Sequence, residues 1–108
     1  MIDYRVLIGE TQSEGFDIHF YAMPEYDSPD DHFDDKGETA EAIREGRFDW
    51  FAACVTASKN GIELGADYLG GCCYESPQAF MDEPDGYFAD MVSIAIANAR
   101  DVIAKLAA

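Results

Sequence analysis

From Ile2 to Ile8 apolar and polar residues alternate, with Ile2, Tyr4, Val6 and Ile8 on one side and Asp3, Arg5 and Leu7 on the other. A period of two predicts a half-buried strand, and Gly9 to Gly15 reads as the polar turn that follows it. Phe16, Ile18, Phe20 and Ala22 repeat the pattern opposite Asp17, His19 and Tyr21, so the two strands are expected to pair as an antiparallel hairpin. Met23-Pro24 ends the second strand, because proline cannot donate to a ladder. Phe48 to Ser58 is apolar on both faces, Trp50, Ala52 and Cys54 against Phe51, Ala53 and Val55, which predicts a central strand covered on two sides. Lys59-Asn60-Gly61 signals a tight reversal, since Asn and Gly accept positive φ. Ile62 to Tyr74 then returns as a fourth strand, in which Gly65, Gly70 and Gly71 predict a bulge or bend, above all at Gly70-Gly71.

Between the hairpins, Glu38 to Glu45 reads as a short helix rich in Ala and Glu and closed by Gly46 as its C-cap, with only Ala40, Ala42 and Ile43 free to face a core. Ser76-Pro77 opens a single helical turn through Met81, with Ser as N-cap and Pro in the first helical position. Glu83-Pro84-Asp85-Gly86 is a turn. From Tyr87 to Leu106 the spacing becomes helical, and Phe88, Met91, Val92, Ala95, Ile96, Ala99, Val102, Ile103 and Leu106 form one apolar stripe. Asp90 near its start and Lys105 near its end both favour the helix dipole. The expected fold is a single α+β domain over residues 1–108 in two layers. A four-stranded antiparallel sheet in meander order carries the long C-terminal helix on one face, and the short helix lies between the hairpins.

Composition leaves this picture intact and adds a constraint on partners. Apolar residues make up 48% of the 108, enough for one core without metal or disulfide support. Twenty-two Asp and Glu against seven Lys and Arg give a formal charge of -15. Such self-repulsion costs stability and favours solubility, and it argues against direct binding to nucleic acid or anionic membrane, which require basic side chains. The suitable partner is a basic protein. Three cysteines, Cys54, Cys72 and Cys73, and the absence of a secretion-signal pattern at the start point to a reducing cytosol, and no apolar stretch approaches the roughly 20 residues of a membrane span.

The charge concentrates in Glu25 to Asp35, where Glu25, Asp27, Asp30, Asp31, Asp34 and Asp35 occur with no Lys or Arg. A run of one sign is either a solvated loop or a surface for something cationic. Glu38, Glu41 and Glu45 extend it along one helix face at spacings of three and four. Paired carboxylates on an extended chain, advancing about 3.3 Å per residue, can approach the charge density of a nucleic-acid backbone. Tyr26 and Phe33 lie inside the run, and either could be an interface residue or a pin to the protein's own core. Partner-binding candidates are therefore Glu25, Tyr26, Asp27, Asp30, Asp31, Phe33, Asp34, Asp35, Glu38, Glu41 and Glu45.

No catalytic constellation is legible. His19 and His32 have no Cys or Ser at a recognisable spacing, Cys54 sits mid-strand as a small buried residue would, and adjacent Cys72 and Cys73 point to opposite faces of a regular strand. The acidic run lacks the alternating ligands, central Gly and distal Glu of a calcium loop, and no zinc spacing is present. Leu69-Gly70-Gly71 has no following Lys-Ser/Thr and would repel phosphate. No enzyme activity, metal or cofactor is expected.

Three segments, Trp50 to Ser58, Gly61 to Gly65 with Asp67 to Cys72, and Gly86 to Val92, resemble small proteins of bacteriophages and other mobile elements. A compact, very acidic domain is also similar to the anti-restriction and anti-CRISPR inhibitors that such elements carry, several of which act as DNA mimics. The resemblance implies a non-catalytic inhibitor acting in the host cytosol on a basic nucleic-acid-binding protein, a CRISPR effector or a restriction enzyme. It carries no residue assignments, and the acidic positions above come from the sequence alone. The rival expectation is an acidic structural or regulatory interaction module without mimicry, its acidity serving solubility.

Overall fold

The computed structural model describes residues 5–33 and 35–107. Four strands form one antiparallel sheet in meander order: β1 (Val6–Ser13), β2 (Phe16–Pro24), β3 (Asp49–Lys59) and β4 (Ile62–Tyr74). Among the described residues three α-helices accompany it: α1 (Glu38–Arg44) between the hairpins, α2 (Pro77–Asp82) and the long α3 (Tyr87–Ala107). This is the expected two-layer α+β fold, a four-stranded antiparallel sheet with the long C-terminal helix packed across it.

β1 differs from its expected bounds. The Met1–Tyr4 part of the expectation lies outside the described residues, and the strand runs on through Gly9–Ser13, the stretch its polarity marked as a turn. The reversal needs only Glu14 and Gly15, whose φ angles of 53° and 85° suit a two-residue hairpin turn. On an edge strand the backbone pairs whatever the side chains are, so Thr11 and Gln12 still sit opposite Ile18 and Asp17. Ile8 is an extra residue between the pairs Leu7–Tyr21 and Gly9–Phe20. Val6, expected to face the core, is 60% exposed.

The core lies on one face of the sheet, where Phe16, Ile18, Phe20, Phe51, Val55 and Cys72 meet Met91, Ala95, Ile96 and Ala99 of α3 and Phe80 of α2. Phe80 stacks on Phe20 at 5.3 Å and meets Phe51 edge-on at 6.1 Å. Gly65 lets α3 come close. A Cβ there would lie 2.2 Å from the Ala95 carbonyl oxygen and 2.5 Å from the Ala99 nitrogen, inside contact distance. Ser76 caps α2 as expected, its Oγ accepting from the Ala79 amide at 3.2 Å. The apolar stripe of α3 is buried only as far as Ala99, with Ile103 partly covered, and Leu106 is 77% exposed because the helix outruns the sheet.

The long helix α3 covers the core face, and Cys54, Thr56 and Ser58 are buried on the opposite one. Their cover comes from long neighbours on the flanking strands: His19 pairs with Thr56, while Tyr21 and Tyr68 flank Cys54. Arg5 lies over the Tyr21 ring at 4.4 Å and reaches Glu63 at 3.0 Å. The expected two-sided cover of β3 is thus a helix on one side and side chains on the other. The bulge predicted at Gly70-Gly71 is present: these two residues oppose Ala52 alone, between the pairs Phe51–Cys72 and Ala53–Leu69.

Candidate interaction surface

The acidic run becomes an anchored loop. The bulge frees the Gly71 amide from its ladder, and that amide donates to Glu25 Oε1. The indole Nε1 of Trp50 donates to the Asp27 carbonyl oxygen at 2.9 Å. Phe33 and His32 then pack edge-on against the same indole, at 5.7 and 5.1 Å. Ser28 to Asp31 form a short 3-10 turn in which Ser28 Oγ accepts from the Asp30 amide at 3.2 Å. At the far end Asp35 Oδ2 accepts from the Thr39 amide at 3.1 Å and from the Thr39 hydroxyl, placing a carboxylate on the free amides at the start of α1.

The other end of α1 is closed by a left-handed glycine. Gly46, with φ of 80°, donates to the Ile43 carbonyl at 3.0 Å, and Arg47 donates to that of Ala42 at 2.9 Å, the paired bonds of a Schellman motif. Ala40 and Ala42 are buried, so Glu38, Glu41 and Glu45 all lie exposed on the outer side of the helix region, as their spacing predicted.

The eleven candidates thus divide by what they touch. Glu25 and Asp35 are half-buried and hold the loop, and half-buried Phe33 packs edge-on against Trp50. Asp30 pairs with Arg44, whose guanidinium holds the Asp30 carboxyl below the usual carboxylate range. Glu45 pairs with Arg47 at 3.1 Å, and Asp27 lies 3.7 Å from His32. Asp31, Glu38 and Glu41 are exposed and, among the described residues, meet no cation. Tyr26 is 84% exposed. Asp34 lies outside the described residues.

Of the two residues that hold the loop, Trp50 reads from the sequence as a strand residue and Gly71 as part of a bulge. Their signal was present in the bulge glycines, but the partner of a freed amide is not readable from spacing. A second acidic group was also passed over: Glu75, Asp82, Glu83, Asp85 and Asp90 follow β4 within a stretch, Asn60 to Ala99, that contains no Lys or Arg.

The thiols offer little chemistry. Burial pushes all three up, Cys72 to about 11, so none is a thiolate at neutral pH. Among the described residues no three His, Cys, Asp or Glu side chains gather in a metal-holding group, and no helix is long and apolar enough to cross a membrane. Compared with protein-family models, curated proteins and solved structures, the chain matches none of them.

Proposed function

We propose that the protein is a non-catalytic inhibitor that sets its acidic face on the basic, nucleic-acid-binding surface of a host protein, a CRISPR effector or restriction nuclease, and so blocks nucleic-acid binding in the cytosol. The observation that carries this reading is Tyr26: a large aromatic 84% exposed between two carboxylates on a loop tied down on both sides of it. A merely solvating loop gains nothing by holding an aromatic ring out in water, whereas interfaces are enriched in such residues. Asp31, Glu38 and Glu41 supply charge that no cation among the described residues already matches. With -15 overall, encounter with a basic cleft would be steered and salt-sensitive.

The test is competition. Purified CRISPR effectors and restriction nucleases are offered labelled duplex in the presence of the protein, at salt from roughly 50 to 300 mM. Loss of duplex binding at low salt, relieved as salt rises, is the expected result. Undisturbed duplex binding across the panel would overturn it.

One observation favours a second reading, an acidic interaction module without mimicry. Asp30 and Glu45 are already paired with Arg44 and Arg47, which interrupts the row of charges a mimic would present. A partner that binds equally well in low and high salt and carries no nucleic-acid site would establish that alternative.

A further inference from the structure

At the end of β4 an apolar cleft of about 220 Å³ opens between the acidic loop and the start of α3. Buried Cys72 and Phe80 lie deepest, Leu69 and Tyr74 line it at half-buried positions, and Phe33 and exposed Tyr87 flank it. Clefts that enclose whole small molecules run to roughly 300–1,000 Å³, so this one suits a single large side chain.

Carboxylates from two separate segments hydrogen-bond residues that line it. Glu25, held by Gly71, comes from the loop; Glu83 comes from the α2–α3 turn and accepts from the Tyr74 hydroxyl at 3.0 Å. The Tyr74 hydroxyl is pushed up to about 12, by burial first and then by Glu83, and Glu25 adds to the burial that raises Cys72. Glu75 follows Tyr74 in the chain and Asp85 precedes Tyr87 by two residues, while Lys and Arg are missing from Asn60 to Ala99. An apolar hole whose lining is bonded to Glu25 and Glu83, neither of them ion-paired among the described residues, is complementary to an apolar group carried between cations.

We propose that this cleft docks one large apolar side chain from a basic segment of a partner protein, with the flanking Lys or Arg meeting the surrounding carboxylates. The inference rests on the reading of the protein as a binder of basic surfaces and adds to it an anchor that charge alone does not supply. Burial of the apolar group would set the register on the partner, and the charges would set the rate of encounter.

The probes are three short synthetic peptides: one with a single Phe among Lys and Arg, one with that Phe replaced by Ser, and one with the Phe kept and the basic residues replaced by Ser. Each is titrated into the full-length isotope-labelled protein and followed by NMR at the amides of Gly71, Cys73 and Tyr87. The basic Phe peptide is expected to shift those amides and to bind about tenfold more tightly than the Ser peptide, the factor that burial of a side chain supplies, and about tenfold more tightly than the neutral one through its lost charge contacts. Tyr87→Ala, an exposed site where folding is not at risk, should erase the preference for Phe over Ser. Equal affinity for the Phe and Ser peptides, or shifts scattered over the whole acidic surface, would overturn the anchor. Equal affinity for the basic and neutral Phe peptides would show an apolar site indifferent to charge, and concentration-dependent shifts without peptide would assign the cleft to a second copy; either overturns the proposal. Inhibition that persists while the Phe preference is absent removes the cleft and keeps the inhibitor reading. A Phe preference in a protein that never disturbs duplex binding does the reverse.

Discussion

Glu25 accepts a hydrogen bond from the amide of Gly71, 46 residues further along the chain, and the amide is free to donate because the bulge has taken it out of the ladder. A local irregularity in an edge strand therefore fixes the entry of the acidic loop. Glu25→Ala leaves that amide without its carboxylate, and a bond to a charged acceptor contributes about 1–3 kcal/mol. We expect urea unfolding to show a loss in that range, together with faster hydrogen exchange at Gly71. If exchange there is unchanged, the loop is held by the Trp50 contacts alone.

The close approach of α3 to β4 gives a sharper contrast between two glycines. Gly61 sits in the β3–β4 turn with φ of 78° and nothing within 4 Å of an added Cβ, so Gly61→Ala incurs only the left-handed backbone strain, about 1–2 kcal/mol. Gly65→Ala drives a Cβ into the Ala95 carbonyl and the Ala99 amide, which are helix backbone and cannot turn aside. Overpacking of that kind costs about 3 kcal/mol. Thermal melts should therefore rank Gly65→Ala well below Gly61→Ala. The reverse order would mean that α3 does not ride on Gly65.

Much of this was legible because period and turn chemistry agree. The Asn60-Gly61 reversal, the Ser76-Pro77 start of α2 and the helix α3 each carry two concordant signals and lie where they point, although the α3 stripe is buried only as far as Ala99. β1 was harder to bound, since its outer half pairs through backbone while its side chains are polar. The candidate surface was half readable. Composition located the run and spacing placed Glu38, Glu41 and Glu45 on one side, but nothing in the order of residues reveals that Arg44 folds back to Asp30 or that Trp50 gathers Asp27, His32 and Phe33. Those are long-range contacts, decided by the sheet once it exists.

Alkaline pH should unfold the protein through groups that burial keeps neutral. Cys72 is raised from 9.0 to about 11, by burial first. A weak acid whose folded value lies above its unfolded one binds its proton more tightly when folded, so its stabilisation is whole below pH 9 and lost as pH rises toward 11. Two units on a buried thiol correspond to about 2–3 kcal/mol. Tyr74, raised to about 12, extends the loss upward. Urea midpoints measured across this range should fall, and Cys72→Ala, though less stable at neutral pH, should show a flatter decline between pH 9 and 11. A slope identical to wild type would place the alkaline sensitivity elsewhere.

Charge changes on the acidic surface should not act alike, because its carboxylates are not alike. Asp30 is paired with Arg44, so Asp30→Asn shifts the local charge by one unit and leaves the Arg44 cation unmatched, half the change that a reversal to Lys makes at one site. Asp31, Glu38 and Glu41 are exposed and meet no cation among the described residues, so reversing them to Lys turns three attractive positions repulsive. Since like charge is being relieved, the folded state should hold or gain slightly, and surface changes of this kind stay within about 0.5 kcal/mol. Binding to a basic partner should fall by more than tenfold at low salt, each lost contact being worth of order 1 kcal/mol, and the slope of log affinity against log salt should become shallower. Asp30→Asn measured alongside should change affinity by less than the three reversals taken singly. If instead Asp30→Asn is the most damaging, the Arg44 pair is part of the interface and the free carboxylates are not.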